Sequence, residues 1–351
     1  MKTHKEKEPR TSCPRYWNTS EPEGNNMIRL KDIEAAHNRI EKYIYHTPLE
    51  KSMELSIGDG NVFLKLENQQ KTGAYKLRGA LSKLTSLTEE ELVKGIGAIS
   101  SGNHGAAVSY GANLLGIKSP HIFVPEITPK SKIQKINYYG GNVIKLGKNY
   151  DEVHQEGMKM IKENDYSFID PCSDEVVIAG QGSIALEILE ENPQIDTILV
   201  PIGGGGIITG VSIAAKAINP KIKIIGVQTA ACPAMLASLR DQVFYESYES
   251  QESICDALVG GVGYIPYSLA SETIDDIILV EEEDIRRAVK HLLLKEKTVA
   301  EPAGAIGVGA LLSNPKFIKG KSVAVVITGG NIDEELLKEI VGEAKSLKLR
   351  A

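Results

Sequence analysis

The sequence has no excess of basic residues, because its 40 lysines and arginines are outnumbered by 46 aspartates and glutamates. The formal net charge is −6, so the chain has no surplus of cations with which to neutralise phosphates. We therefore expect no nucleic acid among its main partners. With 351 residues, 42% of them hydrophobic and 25% charged, the chain has the composition of a globular enzyme built as two lobes or one large α/β unit.

Cysteines are few and far apart in the sequence. The four are Cys13, Cys172, Cys232 and Cys255, and no two of them form a CxxC pair. This pattern favours reduced thiols in a cytoplasmic protein over a disulfide framework or a zinc site.

No segment has the features of a true membrane span. Residues 197–215 carry no charge over 19 positions, which is long enough to cross a bilayer. However, Pro201 and the four glycines at 203–206 would break a helix where lipid cannot satisfy the freed backbone groups. We interpret this segment as a buried strand, a glycine loop and a helix. Residues 1–26 are polar and lack a hydrophobic run, so we expect a disordered extension rather than a signal peptide.

After Met27, short apolar runs alternate with amphipathic stretches. Seven runs have the composition of strands: 61–66, 95–100, 121–126, 142–147, 197–203, 223–228 and 322–329. Helical periodicity is found at 150–164, 184–191 and 333–344. Strands that alternate with helices in this way predict βαβ units, and therefore an α/β fold with mostly parallel sheet.

Three loops of unusual composition follow predicted strands: SSGNHG at 100–105, GGGG at 203–206 and TGGN at 328–331. In open parallel sheets, ligands bind beyond the carboxyl ends of the strands, where loops meet helix N-termini. A fourth unusual stretch has Lys71 and Lys76 on either side of a Thr-Gly turn, just before a predicted helix. A lysine at such a junction is either a solvated cation or an amine held out of water as a nucleophile.

The four consecutive glycines at 203–206 lie between a predicted strand and a predicted helix. Because they lack Cβ atoms, their backbone N–H groups can converge on an anion, and the helix dipole assists. Neither the Walker spacing nor the dinucleotide spacing is present, and Gln228 stands where a ribose-binding acid would be expected. The loop therefore indicates a single phosphate on a smaller cofactor, with a flexible turn as the weaker alternative.

The other two loops each have a structural and a functional interpretation. Residues 100–105 could bind a carboxylate through hydroxyls and N–H groups, or one serine could simply cap the helix. His104 alone is weak evidence for catalysis. The hydroxyl of Thr328 could face a ring nitrogen, or it could merely close the strand. Together, a lysine, a monophosphate loop, a carboxylate loop and a hydroxyl suit pyridoxal phosphate.

The sequence resembles the serine/threonine dehydratase and serine racemase family of fold type II pyridoxal-phosphate enzymes, which are tryptophan synthase beta-like. The matching motifs, in order, are residues 28–56, LKLENQQKTGAYKLRGA (64–80), SSGNHGAAVSYGANLLGI (100–117), residues 124–144, VIAGQGSIALEIL (177–189), PIGGGGIITGV (201–211), EPAGA (301–305) and TGGNID (328–333). They cover almost all of the chain after Met27. The resemblance implies two lobes, each with a mostly parallel twisted sheet flanked by helices. It implies a large cofactor-binding domain of residues 27–92 and 173–351, and a small domain of residues 93–172.

The resemblance also implies roles for individual residues. Lys76 matches the lysine that holds the cofactor aldehyde as a Schiff base, and Tyr75 matches the residue packed near the cofactor. Asn103 matches the asparagine that bonds the 3′ oxygen of the cofactor. Thr328 matches the residue that faces the pyridine nitrogen, and Glu301 matches an acidic residue near the ring.

The same resemblance implies two binding loops. The phosphate loop consists of Gly203, Gly204, Gly205 and Gly206. The loop for the substrate carboxylate consists of Ser100, Ser101, Gly102, Asn103 and His104. Lys71 matches a position before the Thr-Gly turn that we expect to be a surface cation.

The implied reaction is the dehydration and deamination of L-threonine or L-serine to a 2-oxo acid and ammonia, catalysed by a carbon–nitrogen lyase. Lys76, displaced by the amine of the substrate, removes the α-proton. Thr328 cannot protonate the ring nitrogen as an aspartate would, so loss of the β-hydroxyl is favoured over transamination. The resemblance further implies a homodimer or homotetramer.

Other activities remain open at this point. Ser101 occupies the place of the racemase serine that acts on the opposite face of the substrate, so a serine racemase is one alternative. A dehydratase of another 3-hydroxy amino acid is a second. A β-replacement enzyme of the cysteine-synthase type is disfavoured by His104, and a non-catalytic cofactor-binding module is disfavoured by the presence of Lys76 and Glu301.

The sequence departs from the family pattern at several positions. Gln228 and Ala234 stand where the racemases carry the acidic ligands of a divalent metal, so we expect no metal at that site. Asp170, Cys172 and Ala257 replace more usual residues near the active site. An additional acid there would disfavour an acidic substrate, and it leaves the preferred amino acid open.

Overall fold

The computed structural model describes residues 28–342, apart from the side chains at positions 150 and 151. Two expectations therefore lie outside the described residues: the disordered extension of residues 1–26, and the state of Cys13. Within the described range, the chain forms two separate sheets with helices packed around them.

Helices and strands follow one another along the chain in α/β order. The helices are α1 (Leu30–Ile40), α2 (Lys76–Leu84), α3 (Glu89–Lys94), α4 (Asn103–Leu114), α5 (Lys130–Tyr138), α6 (Tyr150–Glu163), α7 (Glu175–Glu191), α8 (Gly206–Ile218), α9 (Ala234–Asp241), α10 (Tyr264–Thr273), α11 (Glu282–Leu294), α12 (Pro302–Ser313) and α13 (Glu334–Gly342). The strands are β1 (Leu49–Ser52), β2 (Asn61–Lys65), β3 (Ile96–Ile99), β4 (His121–Val124), β5 (Asn142–Lys145), β6 (Ser167–Phe168), β7 (Thr197–Pro201), β8 (Lys223–Thr229), β9 (Asp276–Val280) and β10 (Ser322–Val326).

The larger sheet has six strands in the order β1-β2-β10-β7-β8-β9. Only the pair of β1 and β2 at one edge is antiparallel, and all other neighbours are parallel. The central strand β7 is fully buried because helices cover both faces of the sheet. Successive side chains of a strand point to opposite faces, so Ile198 and Val200 join one hydrophobic cluster and Leu199 joins another.

The smaller sheet has four parallel strands in the order β5-β4-β3-β6. All of its strands come from the part of the chain between Ile96 and Phe168. The strands of the larger sheet come from the parts before and after this segment. The exact domain boundaries of the sequence analysis stay a prediction.

The fold class predicted from the sequence is confirmed. Each of the seven predicted strands is present, with ends that differ by up to three residues. The uncharged segment 197–215 forms the strand β7, a glycine loop and the start of α8, as interpreted above. None of the helices in the described part of the chain is long and apolar enough to cross a membrane.

A buried network of four charged side chains attaches α2 to the rest of the large sheet. Arg78 Nε donates to Glu67 Oε2 at 2.8 Å, and Arg78 Nη1 donates to Glu187 Oε1 at 2.6 Å. Lys65 Nζ donates to Glu187 Oε2 at 2.5 Å and to the Thr47 carbonyl at 2.6 Å. Two cations thus balance two carboxylates out of contact with water, and this network sets the position of α2.

Candidate active site

Lys76 is the first residue of α2, and its side chain reaches across to the segment that follows β6. Its Nζ donates to the Pro171 carbonyl at 2.9 Å and lies 5.2 Å from the centre of the Tyr75 ring. The next residue, Cys172, packs against the glycine loop, since a Cβ placed on Gly204 would lie 2.6 Å from its Sγ. The amine and the glycine loop therefore both lie against one short segment, Pro171–Cys172.

The electrostatic surroundings of Lys76 keep its amine charged. Burial by itself would lower the pKa of Lys76, but the neighbouring Tyr75, Cys172 and Asp170 raise it above the ordinary value of a lysine. Burial without these neighbours would have favoured the neutral amine. Lys76 must therefore give up a proton before it can act as a nucleophile.

The Thr-Gly turn before Lys76 docks onto the loop that follows β10. Gly73 has a φ of +76°, a conformation that favours glycine, and its carbonyl accepts from the Gly330 N–H at 2.9 Å. The Tyr75 N–H donates to the Thr328 carbonyl at 3.0 Å. These backbone bonds bring the start of α2 to the carboxyl end of the sheet, which explains why the two motifs lie together.

The glycine loop fits a phosphate group. Gly205 has a φ of +93°, and a Cβ there would lie 2.5 Å from Pro266 Cβ. A Cβ on Gly206 would lie 2.9 Å from Cys172 Cα. No side chain caps the N-terminus of α8, so the N–H groups of its first turn remain for an anion. Small backbone-lined loops of this kind suit the single phosphate that the sequence indicated.

The loop of Ser100 to His104 joins β3 to α4. Ser100 Oγ accepts from the Gly102 N–H at 3.2 Å, and no side chain caps α4. Ser100 therefore does not act as the simple cap of α4 that the sequence left open as an alternative. The uncapped N–H groups at the start of α4 are suited to a carboxylate, and Ser101 lies in the same loop, partly exposed.

His104 is buried in the first turn of α4 and remains uncharged. Its Nε2 lies 2.8 Å from the Ile169 carbonyl, so this nitrogen carries the proton. Burial and the positive charge of Lys76 lower the pKa of His104 to about 3. Its Nδ1 has no hydrogen-bond partner within residues 28–342. Such a residue contributes shape and a neutral acceptor, not a charge.

Asn103 and Glu301 form a pair beside the loop after β10. Asn103 Nδ2 donates to Glu301 Oε1 at 2.8 Å, and Asn103 Oδ1 accepts from Asn331 Nδ2 at 2.6 Å. Burial and the nearby Asp256 raise the pKa of Glu301 to about 7. This carboxyl group can therefore gain or lose a proton near neutral pH.

Thr328 is buried just beyond the end of β10. Its Oγ1 donates to the Ala303 carbonyl at the long distance of 3.4 Å, so this hydrogen bond is weak. The hydroxyl can exchange it for a better partner. As predicted from its residue type, it offers a neutral hydrogen bond and no full charge.

The positions that depart from the family pattern lie around the same loops. Asp170 Oδ1 accepts from the N–H groups of Cys172 and Ser173, and burial raises its pKa. The Ala257 carbonyl would lie 3.0 Å from a Cβ placed on Gly203. Gln228 lies near the end of β8, where its Nε2 donates to the Cys232 carbonyl and its Oε1 accepts from the Leu236 N–H in α9. In residues 28–342 no cluster of metal-ligating side chains is found, and the metal expectation stays a prediction.

Two residues of this site were given no role from the sequence. Asn331 ends the TGGN motif, so a polar residue in a site loop was a usable signal. Lys135 lies on α5, and its Nζ donates to Asn331 Oδ1. The sequence gives no comparable signal for Lys135, a lysine on a surface helix. Only the tertiary structure brings this helix, which packs beside the small sheet, next to the loop that follows β10.

Comparison with known proteins places the chain in a family. The family described as "Pyridoxal-phosphate dependent enzyme" matches residues 40–329. An L-threonine ammonia-lyase of Thermotoga maritima is 41% identical over 90% of this chain and 79% of its own length. A Staphylococcus aureus (strain USA300) protein named L-threonine dehydratase catabolic TdcB is 42% identical over 88% of this chain and 90% of its own.

Solved structures agree with this result. Maize serine racemase superposes with a TM-score of 0.81 at 34% identity, covering 89% of this chain and 96% of that one. The processed form of threonine deaminase isoform 2 from Solanum lycopersicum superposes with a TM-score of 0.84 at 30% identity, covering 90% and 87%. The motifs, the two mostly parallel sheets and these matches together show that the chain belongs to the pyridoxal-phosphate dependent enzyme family.

Proposed function

We propose that this protein is a carbon–nitrogen lyase that converts L-threonine, L-serine or both to a 2-oxo acid and ammonia. The observation that carries the proposal is the position of Lys76, whose Nζ bonds the Pro171 carbonyl while the next residue, Cys172, packs against the glycine loop. An amine and a phosphate-binding loop beside the same short segment could hold a pyridoxal phosphate at both ends. The names of the two curated relatives, at 41% and 42% identity, support the substrate class.

Bound pyridoxal phosphate supplies an aldehyde for the substrate amine and a conjugated ring that accepts the electron pair released at Cα. Lys76 Nζ takes the proton from the Cα of the substrate. The Thr328 hydroxyl provides a neutral hydrogen bond, so the protein places no carboxylate at the ring nitrogen. A neutral hydroxyl at that position would favour loss of the substrate β-hydroxyl over transamination, the hydroxyl departing as water with a proton equivalent to the one removed from Cα.

The substrate loop is neutral apart from helix N–H groups. We assign the substrate carboxylate to the start of α4, with Ser100, Ser101, Gly102, Asn103 and His104 around it. His104 adds no positive charge because its pKa is lowered to about 3. Asp170, whose pKa is raised by burial, is close enough to Lys76 to interact with its charge. This arrangement favours a small, uncharged side chain on the substrate over an acidic one.

Assembly, location and domain division are further parts of the proposal. We infer a homodimer or homotetramer in the cytoplasm, with serine dehydration alongside threonine dehydration. The raised pKa values of the Cys172, Cys232 and Cys255 thiols, each caused mainly by burial, suit a reduced state. The four-stranded sheet supports a small domain at 93–172. Light scattering of the purified protein measures the subunit number directly.

The test of the proposed activity is a 2-oxo acid release assay. L-threonine, L-allo-threonine, L-serine, D-serine and 3-hydroxyaspartate are offered to the purified protein with bound cofactor. We expect release from L-threonine or L-serine and little from 3-hydroxyaspartate. Absence of release from every hydroxy amino acid would overturn the lyase assignment while leaving cofactor binding intact.

Racemisation of serine is a second candidate because Ser101 lies in the substrate loop and serine racemases share the fold. In this case Ser101 would exchange the α-proton on the face opposite Lys76. Chiral chromatography of the serine that remains after turnover measures this directly. Formation of D-serine that is lost in Ser101→Ala, with release of 2-oxo acid retained, would establish a racemase activity.

A further inference from the structure

The side chain of Asn331 connects three parts of the site that the proposed mechanism leaves unconnected. Its Oδ1 accepts a hydrogen bond from Lys135 Nζ on α5. Its Nδ2 donates to the Thr72 carbonyl at 3.1 Å and to Asn103 Oδ1 at 2.6 Å. Asn331 also packs closely on the Thr-Gly turn, since a Cβ on Gly73 would lie 2.6 Å from its Oδ1. The amide is therefore held on both sides.

The chemistry of these partners fixes which way the Asn331 amide points. An ammonium group can only donate hydrogen bonds, and a backbone carbonyl can only accept them. Turning the amide over would place its NH₂ against Lys135 and its oxygen against the Thr72 carbonyl, so both bonds would be lost. Asn331 must therefore present Nδ2, a donor, to Asn103.

The orientation of Asn331 in turn fixes that of Asn103. Because Asn103 Oδ1 is occupied by the donor from Asn331, its Nδ2 must face the other way. One hydrogen of this NH₂ group goes to Glu301 Oε1 at 2.8 Å. An amide nitrogen carries two hydrogens, so a second donor remains for an acceptor in the site. The role that the family resemblance implies for Asn103 requires such a donor toward the 3′ oxygen of the cofactor.

We propose that Asn331, anchored by Lys135 and by the Thr72 carbonyl, is a positioning residue that keeps the NH₂ group of Asn103 directed at the cofactor ring. The inference rests on the proposed role of Asn103. Without the anchor, Asn103 can turn its oxygen toward the ring oxygen, where two acceptors would meet. The loss of one good hydrogen bond of this kind corresponds to about a tenfold change in affinity.

The test compares two ligands that differ only at the ring oxygen. Dissociation constants of pyridoxal 5′-phosphate and of its 3-deoxy analogue are measured on the cofactor-free protein by fluorescence titration. Asn331→Asp keeps the size of the side chain and the contact to Lys135, but it replaces the donor with an acceptor. We expect Asn331→Asp to weaken pyridoxal phosphate about tenfold and to leave the 3-deoxy analogue unchanged.

Lys135 allows a graded version of the same experiment. Lys135→Met removes the donor but leaves the Thr72 carbonyl as an anchor, so we expect a smaller loss for pyridoxal phosphate, about threefold. Lys135→Arg keeps a donor and should restore the affinity. The matched control is Lys130→Met, since Lys130 is an exposed lysine on the same helix, outside this hydrogen-bond chain. The control should change the affinity for neither ligand.

The outcomes distinguish the role of Asn103 as a donor to the cofactor from the role of Asn331 in positioning Asn103. Equal weakening of both ligands in Asn331→Asp would indicate a general disturbance of the fold and would overturn the positioning role. Asn103→Ala serves as the reference variant. If it fails to discriminate between the ligands, the proposed role of Asn103 is wrong. If it discriminates and Asn331→Asp does not, only the positioning role is overturned. Turnover is not needed for any of these readouts.

Discussion

Lys76 and Arg78 lie two positions apart in α2, and their surroundings differ completely. Arg78 donates to both Glu67 and Glu187 and to the Ser183 hydroxyl, and it is fully buried. Lys76 donates to one backbone carbonyl. The pKa of each side chain is raised despite burial, in Arg78 chiefly by the carboxylate of Glu67 and in Lys76 chiefly by Tyr75.

The difference between the two cations shows how one helix can serve both stability and chemistry. A buried charge is tolerated when other groups neutralise and bond it completely, and breaking such a set is costly. Arg78 meets this condition and so fixes α2 against the large sheet. Lys76 keeps hydrogen-bonding capacity to spare and faces the site loops. A reactive group at the end of a firmly held helix is well placed to act.

The largest effect is expected when the Arg78 network is broken. Glu187→Ala leaves Arg78 and Lys65 short of a buried carboxylate, so we expect a loss of about 3–5 kcal/mol in the free energy of unfolding. Urea denaturation followed by circular dichroism measures it. Glu191→Ala, which removes an exposed carboxylate from the same helix, is the control and should change stability by less than about 0.5 kcal/mol.

Removal of Lys76 should change stability little and turnover greatly. Lys76→Ala loses one hydrogen bond to a carbonyl, so we expect a cost of only about 1 kcal/mol in stability. Turnover should fall by about 10³-fold or more because the base is gone, and the visible absorbance of the lysine-bound cofactor should disappear. An unchanged spectrum would show that another amine holds the cofactor.

Glu301 should make the stability of the cofactor-free protein depend on pH. Its pKa is raised to about 7 from an ordinary value of 4.5, so the folded protein favours the protonated form. Its contribution is fully present below about pH 4.5 and is lost as the pH rises through 7. Between pH 5 and pH 8, Glu301→Gln should therefore lose less stability than the parent, by up to about 3 kcal/mol. Parallel curves for the two proteins would contradict this.

The smallest effect is expected at Lys71, on the other side of the Thr-Gly turn. Its Nζ lies 5.1 Å from the centre of the Tyr45 ring at the surface, and a cation–π contact of this kind is worth about 0.5–1 kcal/mol. Lys71→Ala should therefore change the free energy of unfolding by no more than that, with the cofactor spectrum unaltered. A lost spectrum would reverse the roles of the two lysines.

The strands that the sequence did not predict share weak patterns. β1 is a four-residue edge strand with two exposed charged residues at its centre, and β6 is only two residues long. β9 lies at the other edge of the large sheet and is half-exposed. Edge strands bury few of their side chains, so their apolar runs are short or interrupted. The central strand β7, whose side chains are all buried, consists of an almost unbroken apolar run.

The site was predictable to the extent that it consists of loops with unusual composition. The glycine run, the Ser-Ser-Gly-Asn-His loop and the Thr-Gly turn are local patterns, and local backbone demands select their residues. The cation on α5 that anchors Asn331 was not predictable. Its helix packs on the small sheet, and its partner follows a strand of the large one.

The sequence by itself determined the α/β class and the order of the motifs, because these depend on periodicity and on the local chemistry of turns. The choice of Lys76 as the reactive amine came from the family resemblance and stays a prediction. Only the tertiary structure decided which groups surround that amine. The contacts of Lys76 with Pro171, of Arg78 with Glu187 and of Lys135 with Asn331 join residues about 100 or more positions apart. Such contacts, and the shifts in pKa and amide orientation that follow from them, arise from packing of distant segments, which no local pattern encodes.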